Sequence, residues 1–182
     1  MPNRKIILAS ASPRRKEIMT QAGYEFEIMV SHKEEFYTSI APDEIVKELA
    51  LLKANDIANQ TEQANIVIIG ADTVVAYDGK ILGKPKTKEE AFEMIHSFQG
   101  DKHQVYTGIA IIEFDESGNK KITNQAIKTD VYVNSMTDEE IWAHVYSDEA
   151  QILEDAQGKK GSIIFADCLT ADGTAQGAEM NL

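Results

Sequence analysis

The chain has 182 residues and a formal net charge of −12, with 43% hydrophobic and 26% charged residues, which is typical of a folded globular protein and excludes a disordered one. Its single cysteine excludes a disulfide framework and a cysteine-ligated zinc site, and suits a reducing compartment. No apolar run approaches the roughly 20 residues that span a bilayer, and the run after Arg4 and Lys5 is too short for a signal peptide, so we expect one cytoplasmic domain over residues 1–182.

The spacing of apolar residues predicts an α/β domain with a mixed, twisted sheet flanked by helices. Serine before proline favours a helix start, Asp-Gly between alternating segments indicates a hairpin turn, and threonine followed three residues later by glutamate indicates a capping box. In chain order the predicted elements are a strand over 6–9, a helix from Ser12-Pro13 to about Ala22, a strand over 24–30, a helix from Pro42, a strand over 66–69, a hairpin over 73–82, a helix after Thr87, strands over 103–114 and 122–134, a helix after Thr137 and a strand over 162–166.

Charge is distributed unevenly along the chain. Residues 1–16 contain five basic side chains and no acidic one, whereas residues 17–182 contain 13 lysines against 30 acidic residues. So acidic a remainder lacks the broad basic face that binds a nucleic-acid backbone, which argues against a nucleic-acid partner. A small, highly charged anion could still bind in a local basic pocket, and the first 16 residues are where we expect that pocket.

Three cations occupy the first turn of the first predicted helix. Arg14, Arg15 and Lys16 meet the positive end of the helix dipole there, which disfavours each by a few tenths of a kcal/mol. An anion, typically phosphate, on the outward-pointing N–H groups of that helix end would explain them, with Ser10 and Ser12 as further donors. A solvated basic turn capped by serine explains the same residues, and this segment alone leaves both interpretations open.

A carboxylate follows the most apolar predicted strand. Asp72 lies in the segment Gly70–Thr73, where an unpaired carboxylate would be costly to bury. At a strand end of an α/β domain such a group is often a metal ligand or a general base. The alternative, an aspartate that caps a turn through its own backbone, stays open.

Two further candidates lie on predicted loops. Lys84 stands between Gly83 and Pro85, and this segment is not a P-loop because proline replaces the Ser or Thr that would bind Mg²⁺. Lys84 is therefore either a fixed cation or an ordinary surface lysine. Glu34 and Glu35 are typical of a solvated loop, with a metal site as the alternative.

Four segments in one order and spacing carry a resemblance that no single one of them carries. They are Leu8–Arg15, Gly70–Val75, Leu82–Pro85 and Gly100–Thr107. Together they resemble the Maf family of nucleoside triphosphate pyrophosphatases over about residues 5–147. The resemblance implies a Maf/inosine-triphosphate-pyrophosphatase-like fold with two lobes around a cleft, usually in a homodimer. It also implies hydrolysis between the α- and β-phosphates to a monophosphate and pyrophosphate, with a divalent metal such as Mg²⁺ or Mn²⁺.

The same resemblance implies roles for individual residues and a preferred substrate. The motifs look like those of the branch that prefers dTTP and UTP, with modified pyrimidine nucleotides as further candidates. The implied substrate contacts are Ser10, Arg14, Arg15, Lys53, Thr73, Lys84 and the base-reading Gln157; the implied metal ligands are Glu35 and Asp72, and Asp72 also accepts the proton of the attacking water.

The end of the chain departs from the family pattern. Within residues 148–182, only Gln157-Gly158 and a short apolar segment after them can be aligned with the family. This departure motivates an alternative hypothesis, a catalytically weak nucleotide-binding or regulatory protein that retains the phosphate pocket.

Overall fold

The computed structural model describes residues 4–62, 64–147, 163–169 and 175–181. The elements are β1 (Lys5–Ala9), α1 (Pro13–Gln21), β2 (Glu27–Ile28), α2 (Pro42–Ala58), β3 (Ile66–Tyr77), β4 (Lys80–Leu82), α3 (Lys88–Phe98), β5 (Lys102–Phe114), β6 (Lys120–Tyr132), α4 (Asp138–Ser147), β7 (Ile163–Leu169) and β8 (Ala175–Asn181). Helices and strands both contribute to the fold along the chain, which confirms the predicted α/β class.

The main sheet is mixed, as predicted. Its strands follow the order β2-β1-β3-β5-β6, with β4 paired to β3, while β7 and β8 form a separate two-stranded sheet. β1 runs parallel to β3, with Ala9 opposite Gly70, whereas β3 and β4 are antiparallel around a hairpin turn. Asp78 and Gly79 in that turn have φ of 47° and 71°, the left-handed conformations that a two-residue hairpin requires.

The chain divides into two units, which are described separately. The first contains the residues up to Thr73 together with Tyr106–Ile127, and the second contains Val74–Val105 and the residues from Lys128 onward. No helix among the described residues is long and apolar enough to cross a membrane.

In the first unit, α2 packs directly on the backbone of two strands. A Cβ atom added to Gly70 of β3 would lie 2.3 Å from the carbonyl oxygen of Ala50, and one added to Gly108 of β5 would lie 2.2 Å from that of Val46. Only glycine allows so close an approach. The surrounding apolar cluster is formed by Ile7, Ala9, Ala50, Ala54, Ile57, Ala58, Ile66, Ile68, Ala110, Ile112 and Phe114. Close packing therefore fixes α2, and the polar residues it carries, against β3.

We expect Gly70→Ala to lower the free energy of unfolding by about 1–3 kcal/mol, because the new methyl group overpacks a rigid backbone contact. Urea unfolding followed by circular dichroism measures the change. Gly83→Ala is the matched control: nothing lies within 4 Å of its added Cβ, so its effect should stay within about 0.5 kcal/mol. Equal losses in the two variants would contradict the close-packing interpretation.

The second unit has its own core between α3 and α4. Both helices begin at a predicted capping box: Thr87 accepts a hydrogen bond from the Glu90 amide, and Thr137 and Glu140 bond reciprocally. The buried residues are Ala91, Ile95, Phe98, Val133, Ile141 and Val145. His103 is completely buried against the Phe98 ring. Burial lowers the pKa of His103, so this imidazole is neutral.

Two strand predictions and one local interpretation are wrong. β3 does not stop at residue 69 but continues to Tyr77. Gly70 does not mark a turn there; it is required by the close approach of α2. Asp72 therefore lies within a strand, which excludes the turn-capping alternative. The strand predicted over 24–30 is limited to Glu27–Ile28, since β1 offers it only two paired positions.

Candidate active site

A partly buried arginine joins the first turn of α1 to β3. Nη1 of Arg15 donates to Ser10 Oγ at 3.0 Å and to the Ala71 carbonyl at 3.1 Å. Nη2 donates to Thr73 Oγ1 at 3.0 Å, and this hydroxyl also contacts Thr107 Oγ1 at 3.1 Å. The structure thus brings together Arg15, Thr73 and Thr107, which are far apart in the sequence.

The helix end beside this arginine is not closed by a side-chain cap. Ser12 occupies the N-cap position as predicted, but its side chain makes no capping bond, and its own amide donates to Ser10 Oγ at 3.3 Å. Burial lowers the pKa of Arg15, and the charges of Asp72 and Glu35 oppose this shift. The guanidinium stays charged at neutral pH because the ordinary pKa of an arginine lies far above neutral. The end of α1 therefore carries a fixed positive charge suited to an anion.

Lys53 connects two carboxylates in the first unit. Its Nζ lies 2.5 Å from Asp72 Oδ1 and 2.8 Å from Glu35 Oε1. The Lys53 and Asp72 side chains are only 17% and 12% exposed, whereas that of Glu35 is 54% exposed. Because α2 is fixed on β3 through Gly70, Lys53 is held above the middle of the strand that carries Asp72.

Asp72 is an unusually basic aspartate. Burial raises its pKa, the charge of Glu35 adds to the rise, and Lys53 and Arg15 oppose it. A carboxyl group with a raised pKa accepts a proton more readily than a surface aspartate does. The geometry therefore supports a proton-accepting role for this carboxylate.

The two carboxylates fit a divalent metal that keeps other ligands. Oxygen atoms of Glu35 and Asp72 already converge on one cation, the Lys53 ammonium group. Mg²⁺ typically takes one or two carboxylates together with water and substrate phosphates. Among the described residues there is no group of three or more His, Cys, Asp or Glu side chains that could form a complete protein cage. The donor set suits a metal that arrives with a phosphate ligand.

A loop from the end of β2 to the start of α2 carries Glu35. Ser31 Oγ donates to Asp56 Oδ2 at 2.7 Å near one end of this loop. Near the other end, the Glu48 carboxylate accepts bonds from the Thr38 amide at 2.8 Å and from Ser39 Oγ at 2.5 Å. Both acceptors are side chains of α2, so the loop is bonded to this helix on each side of Glu35.

The contacts described above do not include three of the predicted site residues. Arg14 is exposed on the first turn of α1. Lys84 is exposed in the second unit, where it lines an open pocket of about 560 Å³ together with residues that include Glu89, Glu90 and Glu93. Gln157 lies outside the described residues.

Sequence reasoning missed two groups of contacts. Thr107 belongs to the fourth motif but carried no predicted role, and the order of the motifs is the signal that could have linked it to the site. The sequence analysis assigned no role to Glu48 or Asp56, because no local pattern connects these residues of α2 to the loop that carries Glu35.

Comparison with known proteins agrees with the motifs. The sequence profile described as Maf-like protein matches residues 5–177. A dTTP/UTP pyrophosphatase of Lachnoclostridium phytofermentans is 45% identical over 145 residues, covering 80% of this chain and 73% of that protein. A dTTP/UTP pyrophosphatase of Bacillus anthracis is 47% identical over 147 residues, with the same coverage of both chains. Among solved structures, a HAM1 protein from Coxiella burnetii aligns with a TM-score of 0.45 and 17% identity, covering 70% of this chain and 73% of that chain.

Proposed function

Because the chain belongs to the Maf family, we propose that it hydrolyses nucleoside triphosphates to the monophosphate and pyrophosphate, with dTTP and UTP as the preferred substrates. The observation that carries the proposal is Lys53 between Glu35 and Asp72. In this arrangement one ammonium group contacts both carboxylates, which supports assigning the metal and the proton acceptor to this point of the first unit. The names of the relatives support the choice of dTTP and UTP.

Phosphate binding is assigned to the cationic and hydroxyl groups. A triphosphate carries about four negative charges, and charge-assisted hydrogen bonds to its oxygen atoms are among the strong ones in proteins. Ser10, Arg14, Arg15 and Thr73 would contact it from the first unit, and Lys53 would add charge there. Lys84 is assigned as a further phosphate contact on the family resemblance. Support comes from the partly buried, hydrogen-bonded guanidinium of Arg15 and from the otherwise acidic composition of the chain, which disfavours other polyanions.

Catalysis is assigned to Asp72, which would accept the proton of the attacking water. Its burial raises its affinity for a proton, while the bond from Lys53 holds the carboxylate in place. Glu35 and Asp72 would hold Mg²⁺ or Mn²⁺. A bound divalent metal neutralises charge on the phosphate oxygens and orients the substrate. Fixed donors such as Arg15 would stabilise charge that develops as the bond between the α- and β-phosphates breaks.

The remaining assignments rest on the family resemblance. We propose Gln157 as the residue that reads the base, modified pyrimidine nucleotides as further substrates, and a homodimer, whose mass sedimentation would measure. A cytoplasmic location agrees with the single cysteine, and cell fractionation tests it.

A screen of nucleoside triphosphates with Mg²⁺ or Mn²⁺ tests the activity. We expect dTTP and UTP to give the highest rates, with one pyrophosphate formed for each monophosphate. Release of inorganic phosphate with a nucleoside diphosphate would contradict cleavage between the α- and β-phosphates. The departure of residues 148–161 from the family pattern keeps one other candidate, a nucleotide-binding regulator. Calorimetry distinguishes it, because tight triphosphate binding without turnover would favour the regulator.

A further inference from the structure

We propose that Glu48 is a positioning residue that holds the Glu35 carboxylate in place for the metal. The inference rests on the proposed function, in which Glu35 is a metal ligand. Glu48 does not contact Glu35. It acts through the loop, by bonding the segment Thr38-Ser39 to α2.

The loop is long enough to need such an attachment. The eight residues from Ser31 to Thr38 are joined by seven Cα–Cα steps and could extend over about 23–25 Å. Their attachment points on α2, Asp56 and Glu48, are eight residues apart, which corresponds to about 12 Å along a helix. A chain with this much slack could place Glu35 at many positions. Fixing both ends of the segment on α2 narrows the range of positions that Glu35 can reach.

The bonds at Glu48 are the stronger of the two attachments. Its carboxylate accepts three hydrogen bonds: from the Thr38 amide at 2.8 Å, from Thr38 Oγ1 at 3.2 Å and from Ser39 Oγ at 2.5 Å. Ser31 makes one bond to Asp56. Both acceptors are carboxylates, which accept strong hydrogen bonds, so the three bonds at Glu48 hold the loop more firmly than the single bond at Asp56. These bonds also lower the pKa of Glu48, so its carboxylate is ionised at neutral pH.

The contact of Glu35 itself is not enough to fix its position. The Glu35 side chain is 54% exposed and its ion pair is with Lys53. A half-exposed ion pair contributes little to order, because solvent screens the charges and two long side chains must be held in one geometry. The loop backbone must therefore position Glu35, and the Glu48 bonds position that backbone.

Glu48→Ala tests the proposal through the metal requirement. With saturating dTTP, the Mn²⁺ concentration for half-maximal pyrophosphate release should rise by about 10–100-fold, the usual effect of removing a group that orients a metal ligand. The kcat at saturating Mn²⁺ should change less than about threefold, because Asp72 and Lys53 are untouched. Glu48→Gln keeps one acceptor oxygen and should be intermediate. It also serves if the alanine variant fails to fold.

Hydrogen exchange gives a readout that does not depend on activity. In the protein without metal, the Thr38 amide should exchange at least tenfold faster in Glu48→Ala, because its acceptor is lost. Glu44→Ala is the matched control, since Glu44 lies on the same helix and pairs with Lys47 rather than with the loop. Its exchange rates and Mn²⁺ requirement should equal those of the unmodified protein.

A double-mutant cycle with Glu35→Ala separates positioning from a general structural role. Glu35→Ala alone should raise the Mn²⁺ requirement, and adding Glu48→Ala should then raise it no further. If Glu48→Ala behaves like Glu44→Ala, or keeps its full effect without Glu35, the positioning role is overturned while the proposed function stands. If Glu35→Ala leaves the Mn²⁺ requirement unchanged, the metal role of Glu35 fails and the inference fails with it.

Discussion

Asp72→Asn is expected to reduce kcat for pyrophosphate release from dTTP by about 10²–10⁴-fold, the range that a general base contributes. Asparagine keeps the shape of the side chain but cannot accept the proton of the attacking water, and it is a poorer metal ligand. Steady-state rates at saturating Mn²⁺ measure the loss. Because Asp72 lies inside β3 and packs under α2 rather than at a flexible strand end, the substitution should leave the fold intact.

Stability provides the control for this variant. Burial raises the pKa of Asp72, so the folded chain binds a proton more tightly than the unfolded chain does. This group therefore favours folding most below its unfolded pKa, and that contribution is lost as the pH rises through the folded pKa. Asp72→Asn should consequently be at least as stable as the unmodified protein at pH 7, by urea unfolding. A clear loss of stability would mean that lower activity reflects damaged folding.

The pH dependence of the reaction follows from the same shift. Asp72 must be ionised to accept a proton, so kcat/KM should fall as the pH is lowered through its raised pKa. The fall should therefore begin at a higher pH than an ordinary aspartate, with a pKa near 3.8, would give. Retention of full activity in Asp72→Asn would contradict the assignment of this residue as proton acceptor.

Local rules predicted the parts of the fold that depend on neighbouring residues. The starts of α3 and α4 followed from Thr87 and Thr137, and the hairpin followed from Asp78-Gly79, because capping and tight turns involve groups only a few residues apart. The same rules ended β3 too early, since glycine and aspartate usually interrupt strands. Tertiary contacts outweigh that preference, because Gly70 allows the backbone of α2 to pack directly against β3.

The candidate site was predictable as a set of residues but not as an arrangement. Arg15 attracted attention because a cation is disfavoured at a helix start, and Asp72 because a carboxylate is costly beside an apolar strand. Their proximity depends on the parallel pairing of β1 with β3, a long-range contact that no local pattern encodes. Glu48 carried no signal at all, because the polar side of an amphipathic helix already accounts for a glutamate there.

Arg15→Ala should show that one side chain serves both the fold and the reaction. It removes three hydrogen bonds, to Ser10, Ala71 and Thr73, so the free energy of unfolding should fall by about 1–3 kcal/mol. The loss of a fixed, partly buried positive charge beside the phosphates should lower kcat/KM for dTTP by about 10²–10³-fold. Urea unfolding and steady-state kinetics measure the two effects separately.

The conservative and control variants decide how the two effects of Arg15 are related. Arg15→Lys keeps the charge but not the planar fork that reaches Ser10 and Thr73 at once, so stability should recover only in part and kcat/KM should remain at least tenfold low. Arg4→Ala removes an exposed arginine paired with Glu113, and should change stability by less than about 1 kcal/mol and activity not at all. If Arg15→Ala matched Arg4→Ala in both measurements, the cations at the start of α1 would be a solvated basic turn. A large loss in both would instead explain why the chain tolerates this charge at an unfavourable helix end: the bonds to β3 and the anion together offset the dipole.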